Sequence, residues 1–269
     1  MNHPCFENDC MSNRIHLPVA PCCNISCGYC NKKMDCINES RPGVTSTILT
    51  PKEAYIRYIE MNKIYKFAVV GIAGPGDPLA NYDATKETFN LINSYRKKNN
   101  IIDEVKFCLS TNGLLLAQYL DELCDIGVTY FTVTVNSLSE IISAQIYDYV
   151  TYDNKMLKGI NAVSLLKNKQ IEAIEKMSNR DIHTKINMVY IEGINDSQVI
   201  DVAEMASFFK CELLNLIPMI HVKGTRLYNS QEIDWSHFNE LKEEASSIIP
   251  IMNYCMHCRA DAMGPIRNK

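Results

Sequence analysis

Six times along the chain a short, almost continuously apolar run gives way to a stretch with helical periodicity. That alternation restricts the fold more than any other feature. The runs expected as strands are 14–20 (RIHLPVA), 67–72 (FAVVGI), 105–110 (VKFCLS), 130–135 (YFTVTV), 185–190 (KINMVY) and 212–217 (ELLNLI). Most are too uniformly apolar for a sheet with one wet face and suit strands covered on both sides. Between them, Thr50-Pro51-Lys52-Glu53 is a capping box with proline at the first helical position, opening a helix. Further helices are expected over 86–96, 114–125, 156–177, 197–209 and 235–248, with Asn195 or Asp196 capping the one that starts at 197. Successive strands joined by right-handed crossovers give a parallel sheet. The 269 residues would suffice for an eight-unit barrel, but only six units are present. The expected fold is therefore α/β, a partial (β/α)6 TIM-like barrel. With no repeat and no Pro/Gly/Ser linker, 1–269 reads as a single domain, its core roughly 14–220 with extensions 1–13 and 221–269.

Composition narrows the partners. Lys and Arg number 27 against 31 Asp and Glu, a net charge of −4, so nothing basic is set out to neutralise a nucleic-acid backbone. No apolar run approaches the roughly 18 residues of a membrane span, and the start, MNHPCFENDC, is unlike a signal peptide. A cytoplasmic location with no nucleic acid and no membrane is expected. Cysteine is the anomaly: of 12, seven fall within the first 36 residues and two more form Cys255-Met-His-Cys258. Disulfides are disfavoured in the reducing cytosol. Cys124 and Cys211 read as small buried hydrophobes, but a crowd of soft thiolates reads as a site for iron–sulfur or zinc.

In parallel α/β folds chemistry gathers at the C-terminal ends of the strands, and the distinctive residues fall there. The cysteines at 22–36 follow the first expected strand, and Gly71–Pro78 (GIAGPGDP) ends the second. Ser110-Thr111-Asn112-Gly113 ends the third, which also carries Cys108; Thr134 and Asn136 end the fourth, and Pro218 follows the sixth.

Cys23, Cys27 and Cys30 have the spacing C-x3-C-x2-C. Three thiolates on one loop can hold three irons of a [4Fe–4S] cube and leave the fourth iron open to a small molecule. Structural zinc is the alternative, but it takes four ligands, usually in two C-x2–4-C pairs. Cys22 could replace Cys23 only by breaking the x3 spacing. Following the first strand of a partial barrel, this motif resembles that of the radical S-adenosylmethionine (SAM) superfamily. The resemblance implies that the open iron chelates the amino and carboxylate groups of SAM, and that one electron cleaves SAM to methionine and a 5′-deoxyadenosyl radical. It makes Tyr29 a contact for the adenine and equates Gly74, Pro75, Gly76 and Asp77 with the segment at the amino end of SAM. Asn112, Thr134 and Asn136 complete the cofactor-binding rim. Glycine in that segment also has a reason of its own, since a side chain would hold the backbone away from a ligand.

His3-Pro4-Cys5, residues 14–44, Ala73–Asn81 (AGPGDPLAN), Cys108–Leu114 (CLSTNGL) and 255–264 (CMHCRADAMG) resemble more narrowly the radical SAM maturases of the nitrogenase metal cofactor. The likeness is to a short form without a NifX-like carrier domain. It implies a SAM-binding [4Fe–4S] cluster plus two further [4Fe–4S] clusters as substrates, held on the N- and C-terminal extensions. These are fused with a SAM-derived carbon and an added sulfur into an eight-iron, nine-sulfur, carbide-centred precursor. One SAM gives a methyl group to a cluster sulfide and a second supplies the radical that takes hydrogen from it. The implied ligands of the extra clusters are His3, Cys5, Cys36, Glu39, Cys108, Cys255 and Cys258, with Arg259 and Asp261 orienting the terminal pair. Plainer readings exist for each. Cys255 and Cys258 alone make half a zinc site, Cys108 lies in an apolar strand, Glu39 could pair with Arg41, and His16 reads as a satisfied core or rim histidine. Cys10 and Cys22 read as incidental. The implied partners are an iron–sulfur cluster donor, an electron donor and a product carrier or scaffold of nitrogenase assembly, with the chain itself a monomer. Two competing readings are a radical SAM enzyme acting on a peptide or small molecule, and a non-catalytic iron–sulfur scaffold.

Overall fold

A computed structural model describes residues 3–6, 12–31, 33, 35–36, 45, 47–101, 104–253 and 259–265. The chain runs through β1 (Asn13–His16), β2 (Ile25–Cys27), α1 (Pro51–Tyr65), β3 (Val69–Ile72), α2 (Tyr82–Lys98), β4 (Lys106–Thr111), α3 (Leu116–Ile126) and β5 (Val128–Thr134). It continues with α4 (Glu140–Ile146), β6 (Tyr147–Tyr152), β7 (Lys155–Leu157), α5 (Gly159–Ser178) and β8 (His183–Tyr190). The last elements are α6 (Val199–Phe208), β9 (Leu213–Pro218), α7 (Trp235–Ser246) and β10 (Met263–Pro265).

The six expected strands are present as one parallel series, β1-β3-β4-β5-β8-β9, curled into a half-barrel with helical crossovers. Each strand alternates. Val70, Ile72, Phe107, Leu109, Phe131, Val133, Ile186 and Met188 belong to the core shared with the helices. Their neighbours Gly71, Cys108, Ser110, Thr132, Thr134 and Lys185 face the lumen instead. Both faces are buried, but only the outer one is oily. Against it pack Tyr58 of α1, Phe89 and Ile92 of α2, Leu120 and Leu123 of α3, Ile174 of α5 and Val202 of α6. The capping box of α1 forms as expected: Glu53 N–H donates to Thr50 Oγ1 at 3.3 Å and Thr50 N–H to Glu53 Oε2 at 2.8 Å. Burial pushes the Cys211 thiol up to about 12, consistent with a small core side chain. Among the described residues no helix is long and apolar enough to cross a membrane.

Four expectations change. The first strand stops at His16, because Pro18 has no N–H to continue the ladder; Leu17 still donates to Gly71 O at 2.9 Å. The helix expected from Met156 begins only at Gly159. Asp153 and Asn154 both take left-handed φ (48° and 59°), the two-residue turn of a hairpin, so residue 156 lies in β7 against β6. β2 joins that hairpin as a separate antiparallel sheet, β2-β6-β7, and β10 adds an antiparallel edge to β1. Finally, Asn195 precedes Asp196 but makes no side-chain cap bond. Its buried amide is spent elsewhere: it accepts from Ile191 N–H at 2.7 Å and donates to Asn136 O and Val189 O, both at 2.8 Å. Three bonds to strand-end backbone outweigh one cap bond, since each leaves no buried peptide group unpaired.

Helix α7 docks on the end of β8 through Glu192, a buried carboxylate that accepts from Tyr190 Oη (2.8 Å) and Asp234 N–H (3.1 Å) and contacts His237 Nδ1 (3.1 Å). The Glu192 hydrogen bond raises the pKa of His237 above 6.5. The stability this gives is therefore complete below the unfolded pKa and is lost as pH rises through the folded one. His237→Gln is expected to flatten that part of the pH profile by less than about 1 kcal/mol, because the imidazole is partly solvated. Urea midpoints measured on either side of neutrality check it.

Candidate active site

The cysteine loop is built on β2, which pairs Ile25 with Val150, Ser26 with Tyr149 and Cys27 with Tyr147. A turn closed by Cys30 N–H to Cys27 O (3.0 Å) then brings the three thiols to one cleft. From outside, Gly28 donates to Ile146 O at 2.7 Å and accepts from Leu227 N–H at 2.9 Å. A Cβ there would lie 2.5 Å from Arg226 Nη2, whose guanidinium is fixed by Asp148 (Nε to Oδ1, 2.6 Å). Cys23, Cys27, Cys30 and Cys36 all line this cleft.

The glycine-rich segment crosses directly beneath this loop. Pro75 bridges to Ala20, Gly76 N–H donates to Ala20 O at 2.6 Å, and Asp77 N–H donates to Cys22 O at 2.8 Å. A Cβ on Gly76 would stand 2.2 Å from Cys22 O, so only glycine permits the approach. Asp77 lines the cleft, yet its carboxylate is fully engaged by protein. Oδ1 accepts from Leu79 and Ala80 N–H (2.9 and 3.3 Å), and Oδ2 from Thr111 Oγ1 and Asn112 N–H (2.9 and 2.7 Å). It ties the end of β4 to the segment after β3. Burial raises its pKa and the four donors oppose that rise. Asn112 turns its amide back to the cysteine loop, donating to Asn24 Oδ1 at 2.6 Å and facing Cys23 Sγ at 3.9 Å. Gln170 of α5 holds the two rim strands together, donating to Asn112 O (2.9 Å) and Thr134 O (2.8 Å).

Tyr29 and Asn136 stand behind the wall of the cleft. Tyr29 is 1% exposed and accepts from Asn136 Nδ2 at 2.6 Å; the same amide reaches Tyr147 Oη at 3.0 Å, and Asn136 Oδ1 accepts from Val189 N–H. Pro75, Gly76, Asp77, Asn112 and Thr134 face the cleft, whereas Gly74 packs near Ala260, whose Cβ would be 3.5 Å from one on Gly74.

A second, more enclosed cavity lies deeper in the barrel, lined by His3, Cys5 and Cys108 together with Arg14, His16, Thr132 and Lys185. Residues 3–6 reach it by folding onto the starts of β5 and β8. The His3 ring stacks on Tyr130 at 4.4 Å, Tyr130 stacks on His183 at 4.2 Å, and Phe6 meets Tyr130 edge-on. Burial, with Lys185 and Lys106 nearby, holds the His3 pKa well below 6.5. The ring is therefore neutral, the form that binds metal. Its Nδ1 faces Cys5 N–H at 3.2 Å, while Nε2, like the buried Thr132 Oγ1, has no hydrogen-bond partner among the described residues. His16 also lines this cavity as a neutral imidazole, its pKa lowered to about 3 by burial, with Nδ1 3.3 Å from Arg259 O. Glu39, Cys255 and Cys258 lie outside the described residues. Just beyond the last of these, Ala260 N–H donates to Asp35 Oδ2 at 3.4 Å, beside Cys36, and Arg259 Nε pairs with Asp261 at 3.0 Å. Thr132 of the lumen had no motif to mark it, and Ser110 was marked only as part of the strand-end stretch Ser110–Gly113; the strand alternation turns both inward.

This fold and this three-thiol cleft define a radical SAM protein. Residues 17–206 match the radical SAM superfamily, and the chain belongs to it. It is 40% identical over 268 residues to the FeMo cofactor biosynthesis protein NifB of Chlorobaculum tepidum, covering 98% of this chain and 62% of that protein. It is also 40% identical over 269 residues to NifB of Klebsiella pneumoniae, covering 97% and 56%. The chain thus spans about 60% of the length of these curated relatives. Among solved structures, a radical SAM methyltransferase from Sphaerobacter thermophilus superposes with a TM-score of 0.61 at 15% identity, covering 89% of this chain and 64% of that one. Methylornithine synthase (PylB) gives 0.59 at 13% identity, covering 92% and 66%. These two speak for the fold.

Membership implies a [4Fe–4S] cluster and SAM, and the three thiols lining one cleft suit the cluster. Burial, then Cys30 and Cys23, push the Cys27 thiol well up, so three adjacent thiolates would repel unless a cation sat among them. Gly76→Ala should drive the segment off the cysteine loop. It is expected to cut SAM affinity by about tenfold or more, equivalent to about 1.4 kcal/mol. Equilibrium dialysis against reconstituted protein measures it, and unchanged affinity would show that the two segments can part freely.

Proposed function

We propose that this chain is a radical SAM enzyme of FeMo-cofactor biosynthesis. In this reading it fuses two [4Fe–4S] substrates with a SAM-derived carbide and an added sulfur into an [8Fe–9S–C] precursor. The observation that carries the reading is the second cavity: His3, Cys5 and Cys108 gather within the barrel, next to a three-thiol cleft that already accounts for one cluster. Similarity to NifB over 98% of the chain supports it. Cys23, Cys27 and Cys30 hold the resident cluster, which when bound supplies the one electron that breaks the C5′–S bond of SAM. Gly76 lets SAM lie against backbone, Asp77 fixes that backbone to β4, and the Asn112 amide steadies Cys23.

Mixed nitrogen and sulfur ligation suits a substrate that must leave. Three or four thiolates would retain it; an imidazole and a few thiols from separate segments release it more readily. Cys36, which also lines the SAM cleft, belongs with the ligands of the substrate clusters. Glu39, Cys255 and Cys258 complete the ligand set of the substrate clusters. An iron–sulfur donor, a one-electron donor and a carrier for the product are the partners, and the chain works as a monomer.

Anaerobic reconstitution should load about twelve irons per chain, three cubes. Cys30→Ala should abolish 5′-deoxyadenosine formation under dithionite, because two thiolates do not present one selectively open iron. Cys108→Ala should keep that activity while losing iron and the fused product. Turnover retained in Cys30→Ala would overturn the cluster assignment, and full product from Cys108→Ala would overturn the role of the second cavity.

A further inference from the structure

The two cavities are neighbours within one lumen, and the residues they share are Ala73 and Ser110. Alternation along the strands explains why. Cys108 faces the deeper cavity, and two residues on, Ser110 faces both; Gly71 faces the deeper cavity, and two residues on, Ala73 faces both. On β5 the same step separates Thr132, in the deeper cavity, from Thr134, in the cleft. The side chains common to both linings are therefore a methyl and a hydroxymethyl group. A closed eight-stranded (β/α)8 barrel, by contrast, fills its lumen with layers of bulky branched side chains. In the deeper cavity, His3 Nε2 and Thr132 Oγ1 are buried polar atoms without hydrogen-bond partners among the described residues, 2% and 1% exposed as residues. Buried polar atoms left unsatisfied are costly unless something occupies the space before them. An occupant of the deeper cavity would thus meet the cleft at Ala73 and Ser110, the two residues that line both.

We propose that Ala73 and Ser110 form the aperture through which SAM chemistry reaches the occupant of the deeper cavity, and that the small size of residue 110 determines whether the two cavities communicate. The inference rests on the reading above. There, one SAM gives its methyl group as a cation to a sulfide of the substrate, leaving S-adenosylhomocysteine. A second SAM takes one electron, breaks its C5′–S bond and releases methionine. The 5′-deoxyadenosyl radical so formed takes a hydrogen atom from the substrate-bound methyl, becoming 5′-deoxyadenosine and leaving a carbon radical. Both the methyl group and the hydrogen atom must cross between the cavities. A β-branched side chain at 110 would narrow the opening without adding charge.

The test compares Ser110→Ala, which keeps the opening, with Ser110→Val, which narrows it, using SAM deuterated in its methyl group. The readout is the fraction of 5′-deoxyadenosine carrying deuterium, so it does not depend on how much SAM is cleaved. In Ser110→Val this fraction is expected to fall by about tenfold or more while Ser110→Ala stays near the parent, as misplacement of a reacting group by an ångström can cost that much. An undiminished fraction in Ser110→Val overturns the proposal. So does loss of all cleavage in Ser110→Val alone, which would place Ser110 in the SAM site itself. If the parent transfers no deuterium, the functional reading fails, and the aperture is then judged on the cluster-free chain. Mass spectrometry would follow iodoacetamide alkylation of Cys108, expected several-fold slower in Ser110→Val than in Ser110→Ala, with Cys23 unchanged. Equal Cys108 rates would overturn it.

Discussion

The whole arrangement depends on a division of labour along four strands. Val70 and Ile72, Phe107 and Leu109, Phe131 and Val133, Ile186 and Met188 turn outward and supply the apolar burial that holds the helices on. Their alternates on β3, β4 and β5, Gly71, Cys108, Ser110 and Thr132, are small, and on β8 the alternate is Lys185. A period of two makes this separation possible, because stability and function draw on opposite faces of the same strand. Replacing the inner set with Leu or Ile would enlarge the core and erase the site. Hydrophobic burial therefore sits outside the sheet, leaving the inside to ligand chemistry.

Precision at the rim comes from polar side chains that bond backbone. Asp77 links the segment after β3 to β4, Gln170 links β4 to β5, and Asn136 with Asn195 links β5 to β8. Each is buried and each joins more than one segment. Such networks specify one geometry, because any shift of one strand end leaves peptide groups unpaired. They also explain why several rim residues that looked like cofactor contacts are occupied with one another. Tyr29 and Asn136 belong to the support of the cysteine loop, and the carboxylate of Asp77 is spent on four donors.

Local signals were legible in the sequence and long-range ones were not. Six apolar runs, the Thr50–Glu53 box and the C-x3-C-x2-C spacing are written in contiguous residues, and the corresponding elements formed. The hairpin β6-β7 was hidden because Met156 and Leu157 fit a helical period as well as a strand. The deciding signal was Asp153-Asn154, two residues that tolerate left-handed φ. The service of β2 to that hairpin, across more than 120 residues, has no local mark at all. Nor has the second cavity, since His3, Cys108 and Thr132 meet only when three distant segments are assembled. Cysteine chemistry could name His3, Cys5 and Cys108 as candidates through resemblance, while the inward pointing of Ser110 and Thr132 needed the sheet register.

The stacking of His3 on Tyr130 and of Tyr130 on His183 has a consequence for biogenesis. His3 and Phe6 dock against Tyr130 and His183, well over a hundred residues further along the chain. Contacts so remote form late. Until β8 is in place, the floor of the lumen stands open to its surroundings, and the histidine that closes it is the last donor to arrive although it precedes every strand in the sequence.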